Sequence, residues 1–317
     1  MTIHGRGWAA GGNEWFGPAV WSTADLGRSW SHSSAGLAYG EGEPPIKAGW
    51  SLARGADGAL WAGIEPAGLF RSSDGGETWT HLAGLRAHPS RPDWQPGGGG
   101  LSLHGIVLDP DDARRAWIAI STAGVFATED GGESWEARNR GTRCDYLPEA
   151  QRYPEVGQCV HCVVKAAGAG ERLYQQNHCG MYRSDDGGRS WQSIEAGLPS
   201  TFGFAAAAHP REPGTLWLFP LNGDSIGRYP PNARAAVWRS RDGGQSWTAG
   251  RAGLPEGPCY VGVLRQAMAV DRLDPVGLYL GTSSGELYAS LDEGESFTPI
   301  ARHLPTICSV ETLVLEA

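Results

Sequence analysis

No stretch of this sequence approaches the ~18 consecutive apolar residues that a membrane-crossing helix needs. Its first residues, MTIHGRGWAAGG, lack the apolar core of a secretory leader. These absences lead to the expectation of a cytoplasmic protein with no membrane partner. Basic runs are missing as well. The 26 Lys and Arg stand against 35 Asp and Glu for a net charge of −9, and without clustered cations nothing neutralises a phosphate backbone, so no nucleic-acid partner is expected. Cysteine is scarce, six residues in 317, too dilute for a disulfide scaffold. No HExxH or equivalent local metal signature occurs. What the chain does have is turn chemistry: 47 Gly and 21 Pro without a Gly-X-Y period, which suits many short strands. A hydrophobic content of 40% is enough for a packed core.

Six segments line up along the chain: TADLGRSW (23–30), SSDGGETW (72–79), TEDGGESW (128–135), SDDGGRSW (184–191), SRDGGQSW (240–247) and SLDEGESF (290–297). Their common form is Ser/Thr-x-Asp-x-Gly-x-x-Trp/Phe. The aspartates Asp25, Asp74, Asp130, Asp186, Asp242 and Asp292 follow one another at 49, 56, 56, 56 and 50 residues. The carboxylate of such a turn accepts backbone N–H bonds, and the glycine adopts an angle that a β-carbon forbids. The aromatic is free to pack between neighbouring sheets, so the six aspartates read as structural. Upstream of each turn lies an aromatic-centred strand, as at Trp61, Trp117, Tyr174 and Tyr279, preceded by an apolar or mixed strand such as LSLHGIVLD or QCVHCVVKA. Each unit is then four strands, called A to D, with the Asp turn between C and D. Such a unit is one propeller blade.

The motif resembles the Asp-box of the BNR repeat, carried by sialidase-like, sortilin-like and photosystem-assembly-factor-like propellers. That resemblance covers nearly the whole chain. With the repeat, it implies an all-β fold: one β-propeller domain over 1–317, with six four-stranded blades closed by the C-terminal segment SVETLVLEA, or seven blades if one lacks a box. For function it implies a glycosidase-like hydrolase or a protein-binding scaffold of the assembly-factor or sortilin type. Sialidases of this kind rely on three convergent arginines, a Tyr–Glu pair and an Arg-Ile-Pro segment. Arg-Ile-Pro is absent here, which sets the chain apart from them. Xyloglucanase-type relatives carry two propellers and this chain has one.

In this connectivity the start of strand A and the B–C loop share one face, opposite the Asp turns. Aligning the A strands on Asp109, Ala166, His209, Asp271 and Glu316 brings His104, His161, Phe204, Gln266 and Glu311 to one equivalent point, with Trp50 as counterpart in the second blade. The B–C loops add Glu65, Ser121, His178, Asn222 and Ser283. Three long loops, 86–100, 140–158 and 222–234, feed the same face, where repeat folds usually carry function. His104, His161 and His178 form a candidate site for zinc or a similar divalent metal; the other reading is a hydrogen-bonded polar channel. Glu65, Glu311 and His178 are the candidate catalytic groups, the carboxylates as general acid and base. Gln266, Arg265, Asn222 and Ser283 are candidate ligand contacts. Only one of Arg265 and Gln266 can face inward, because side chains alternate along a strand. Cys159 should face the same way as His161, and Cys179 follows His178. Each is either a thiolate beside an imidazole or an inert buried thiol. The expected partner is a small polar or sugar-like ligand, with a polypeptide as the alternative.

Overall fold

A computed structural model describes residues 2–3, 6–13 and 15–315, with nothing described for the side chains of Thr2 and Ile3. The protein is all-β, with six four-stranded antiparallel sheets, the blades of a six-bladed β-propeller. Every sheet is a meander whose strands follow chain order.

Residues 1–139 and 155–160 form one compact unit. Its first blade comprises β1 (Thr2–Ile3), β2 (Arg6–Asn13), β3 (Gly17–Thr23) and β4 (Ser31–Ser33); the second, β5 (Ala48–Arg54), β6 (Leu60–Glu65), β7 (Gly68–Ser72) and β8 (Thr80–His81). The third holds β9 (Leu103–Leu108), β10 (Ala116–Ile120), β11 (Gly124–Thr128) and β12 (Glu136–Ala137). Between the second and third blades Trp61, Leu69, Leu103, Ile118, Phe126 and Trp135 make one apolar cluster. Each large side chain so buried contributes about 2–3 kcal/mol before entropy is subtracted.

Residues 140–154 and 161–317 form the other unit. Its blades are β13 (Val160–Lys165) to β16 (Gln192–Ser193), with β14 (Leu173–Asn177) and β15 (Gly180–Ser184) between them; then β17 (Phe202–Ala208), β18 (Leu216–Leu221), β19 (Val237–Ser240) and β20 (Thr248–Gly250). The last blade is β21 (Met268–Val270), β22 (Leu278–Gly281), β23 (Leu287–Ser290) and β24 (Thr298–Ala301). Trp217, Phe219, Leu278, Leu280 and Phe297 belong to the apolar cluster shared by these last two blades.

The repeated turns have one geometry. The leading hydroxyl, Thr128 for example, donates to Asp130 Oδ1 at 2.7 Å and accepts the Gly132 N–H at 2.9 Å. The carboxylate accepts the Ser134 N–H at 2.9 Å and the Ser134 hydroxyl at 2.5 Å. Each leading hydroxyl residue also stands opposite a fixed residue of the preceding strand, as in Leu60↔Ser72, Ala116↔Thr128 and Leu278↔Ser290. The turn therefore sets the register of its blade. Most of the following aromatics are buried (Trp79, Trp135, Trp191, Phe297), but Trp30 is 46% exposed.

The chain ends differently from the expectation that 309–317 would complete the first blade. The place beside β2 is taken by Thr2–Ile3, with Thr2↔Gly7 and Ile3↔Arg6 in register; a neighbouring hairpin closes at little entropic cost. The C-terminal segment instead bonds within the sixth blade. Ser309 bridges Gln266 in parallel, Val310 N donates to Gln266 O at 2.8 Å, and Thr312 Oγ1 donates to Val270 O at 2.9 Å. Glu316, the expected end of that strand, lies outside the described residues.

Candidate functional site

Bulges in the A strands determine which side chains leave the sheet. The ladder of β5 on β6 skips Trp50, pairing Gly49 with Ile64 and Ser51 with Gly63. That of β9 on β10 skips His104, and that of β17 on β18 skips Phe204 and Ala205. A bulge leaves its extra residue unpaired and re-aims the side chain. Trp50, His104 and Phe204 thus occupy one kind of position. The glycine beside each bulge is a tight approach: a β-carbon on Gly105 would lie 3.0 Å from Ala119 Cβ.

In the first unit, Trp50 Nε1 donates to Glu65 Oε2 at 2.9 Å. Gly100, at φ +83°, approaches the same carboxylate, so a β-carbon there would displace the Glu65 side chain. The His104 ring is 2% exposed, and its Nε2 lies 3.0 Å from Val160 O, so it donates there.

A denser group lies in the second unit. His161, 2% exposed, donates from Nδ1 to Gly203 O at 2.6 Å. Its ring stands 5.4 Å from that of His178, 5.2 Å from Phe202 and 4.8 Å from Phe204. His178 is flanked by Phe202 at 5.0 Å and by Tyr146 at 5.6 Å between ring centres, and its Nε2 lies 3.6 Å from Asp224 Oδ2. Asp224 Oδ1 accepts from Arg228 Nε at 2.6 Å. The Arg228 and Arg265 guanidiniums lie 5.4 and 4.9 Å from the Phe204 ring centre. Burial lowers the His178 pKa, opposed by Asp224 and reinforced by Arg228 and Arg265, which favours a neutral imidazole. The Asp224 carboxyl is lowered, chiefly by its bond from Arg228.

Of the three expected histidines, His161 and His178 come together in this unit, their ring centres 5.4 Å apart. His104 is engaged at Val160 instead. Between Arg265 and Gln266, Arg265 takes the aromatic side, while the Gln266 backbone holds the C-terminal segment. Ser283 is a loop-fixing residue, its hydroxyl accepting the Gly262 N–H at 3.0 Å. Asn222 anchors its loop by donating its backbone N–H to Tyr229 O at 2.8 Å. Glu311 is exposed between Val310 and Thr312, whose bonds hold this segment to the sixth blade. Burial raises the Cys179 thiol pKa, which disfavours a thiolate, and its sulfur accepts the Asp145 N–H at 3.3 Å.

Sequence reasoning missed Tyr146, Asp224, Arg228 and Phe202. The first three lie in loops 140–158 and 222–234, where only composition and length signalled function. Phe202 carried a weaker signal, two residues before Phe204 on the same strand.

Fold and site together define a six-bladed propeller with a polar, aromatic-flanked histidine cluster. No protein-family model matches the chain. It is similar to an oligoxyloglucan-reducing end-specific xyloglucanase of Emericella nidulans, 32% identical over 79 residues, which is 25% of this chain and 9% of that protein. A xyloglucanase of Paenibacillus sp is 26% identical over 205 residues, covering 57% of this chain and 18% of that protein. The chain thus spans less than a fifth of either relative. Among solved structures, the GH74 xyloglucanase from Xanthomonas campestris superposes with a TM-score of 0.65 at 19% identity, over 94% of this chain and 46% of that one. YCF48 from Cyanidioschyzon merolae gives a TM-score of 0.56 at 15% identity, over 93% and 80%. These structural likenesses establish the fold class.

Proposed function

We propose that this chain binds a sugar-like or other small polar ligand at the His161–His178 cluster, with hydrolysis as the activity to test. The observation that carries the reading is the meeting of aromatic faces, Tyr146 and Phe202, with planar polar groups, His178, Asp224 and Arg228. A sugar offers apolar C–H faces and hydroxyl edges, and a site combining aromatic walls with a few placed polar groups suits both. A neutral His178 beside Asp224 is suited to move a proton. The six turns are inferred to be Asp-boxes of the BNR type. Xyloglucan oligosaccharides are the first substrates to try, given the xyloglucanase likenesses. A cytoplasmic setting is part of the reading, supported by Cys162, Cys179, Cys259 and Cys308 being thiols.

Calorimetric titration with xyloglucan oligosaccharides and a reducing-end release assay test this. Wild type should bind, and Arg228→Ala should weaken binding about tenfold, or about 1.4 kcal/mol. Absence of both binding and release across a panel of plant and bacterial polysaccharides overturns the reading. A scaffold function is the second reading. It is favoured by Trp15 and Phe16, 91% and 88% exposed at the turn between β2 and β3, where an apolar patch suits a polypeptide.

A further inference from the structure

We propose that the pocket between the fifth and sixth blades is a second ligand site, which takes a small aromatic amine with its ring against the apolar walls and its ammonium at Glu286. The site is separate from the histidine cluster and needs no saccharide. Both blades belong to one compact unit, and the pocket, about 310 Å³, is lined wholly from it. Pockets of this size, mostly apolar with a few placed polar groups, are the usual form of a small-molecule site. Phe219 of β18 and Leu280 of β22 make the floor with Leu254 and Val263, all 5% exposed or less. Pro255, Pro258 and Tyr260 are exposed and make the rim.

The segment between β20 and β21 supplies one wall, and it is tied down on both sides. Cys259 N donates to Ala233 O at 2.8 Å, at the end of the 222–234 insertion. Gly262 N donates to Ser283 Oγ at 3.0 Å, and Ser283 N returns a bond to Gly262 O at 2.8 Å. The Tyr260 ring meets that of Tyr229, from the same insertion, at 5.0 Å between centres. A wall fixed in this way spares a ligand the cost of ordering it.

The polar end is the turn between β22 and β23, where Thr282, Ser284 and Glu286 line the pocket. The Ser284 hydroxyl donates to Glu286 Oε2, and Thr282 Oγ1 lies 3.0 Å from the same oxygen. No described residue donates to Oε1, which is left as an acceptor. The hydroxyl bonds, Ser284's above all, hold the Glu286 carboxyl below the usual carboxylate range, so it is anionic at neutral pH. Arg302 acts on it more weakly and does not line the pocket. An ammonium gains a charge-assisted bond at such an oxygen, and tyrosine rings such as Tyr260 and Tyr288 attract a cation as well. A hydroxyl forms the bond without the charge, and a carboxylate meets repulsion. The expected order of ligands is therefore amine, alcohol, acid.

Calorimetric titration of the full chain with tryptamine, tryptophol and indoleacetate compares one ring carrying three charges. Tryptamine should saturate a single site, about tenfold more tightly than tryptophol, with indoleacetate weakest. Glu286→Gln should remove the preference among the three. Tyr260→Ala, a change at an exposed ring, should weaken all three about tenfold. Cys259 reports where the probe sits. Its thiol lines the pocket, and burial pushes its pKa up, so alkylation by N-ethylmaleimide is slow. Tryptamine at about ten times its dissociation constant should slow that alkylation about tenfold further. The exposed Cys308 should react at an unchanged rate, and peptide mass spectrometry reads both. No saturable tryptamine binding overturns the proposal, as does binding that leaves Cys259 alkylation unchanged. A preference for the amine that survives Glu286→Gln overturns it too. If Glu286→Gln does not fold, the order of the three wild-type affinities and the protection of Cys259 decide.

Discussion

The residue just before each turn aromatic has a role that the repeat motif, as first written, passed over. Ser29, Thr78, Ser134, Ser190, Ser246 and Ser296 each donate a hydroxyl to the turn carboxylate, at 2.5–2.6 Å. The signal was present, since all six positions are Ser or Thr, but a loose motif hid it. Asp130→Ala removes an acceptor shared by a backbone amide and two hydroxyls. It should cost about 1–2 kcal/mol, toward the low end because water reaches the released donors. Urea unfolding measures this, and ligand affinity per folded molecule should stay at the wild-type value. A Ser134→Ala variant should show a smaller loss of the same kind.

Among the elements, the C-terminal segment and the bulged A strands departed most from expectation. An unpaired strand-like sequence at one end and an incomplete-looking blade at the other invite pairing, yet β1 pairs with Arg6 and Gly7 at that edge. Deleting residues 309–317 should therefore weaken the sixth blade first. Hydrogen exchange should rise in β21 and the Gln266 segment before it, which lose the bonds from Thr312 and Val310, before it rises in β2. Equal exchange increases in β2 and β21 would contradict this assignment. The bulges matter because each shifts the in–out alternation within its strand. Simple alternation cannot follow a strand through such a shift, as at Trp50 and His104.

For the whole molecule, the six turn carboxylates make stability depend on acidity in one direction. Hydrogen bonds from Ser29, Ser134 and Ser246 are the largest causes lowering Asp25, Asp130 and Asp242, each from 3.8 to about 2. Asp74 is lowered too, chiefly by Thr78, and Asp186 and Asp292 are lowered by their serines in spite of burial. Since the folded pKa values lie below the unfolded one, the unfolded chain binds protons more readily as pH falls. The contribution is complete above about pH 4 and is lost progressively toward about pH 2. Chemical unfolding across pH 6 to 2 should show a steep loss in that window, and Asp130→Asn should make it shallower. A flat profile between pH 4 and 2 would remove the turns from the account of stability.

What the sequence determined by itself was the repeating unit: six turns and six four-stranded meanders. These follow from interactions a few residues apart, which motif and spacing encode directly. The identity of the cluster was decided only by tertiary structure. His161 and His178 were legible because strand alternation and loop position point them to one face. His104 stays apart from them because it sits at a bulge and donates a ring nitrogen to Val160 O. Tyr146, Asp224 and Arg228 come from irregular loops, where no period ties sequence position to side-chain direction and only packing sets where the groups meet.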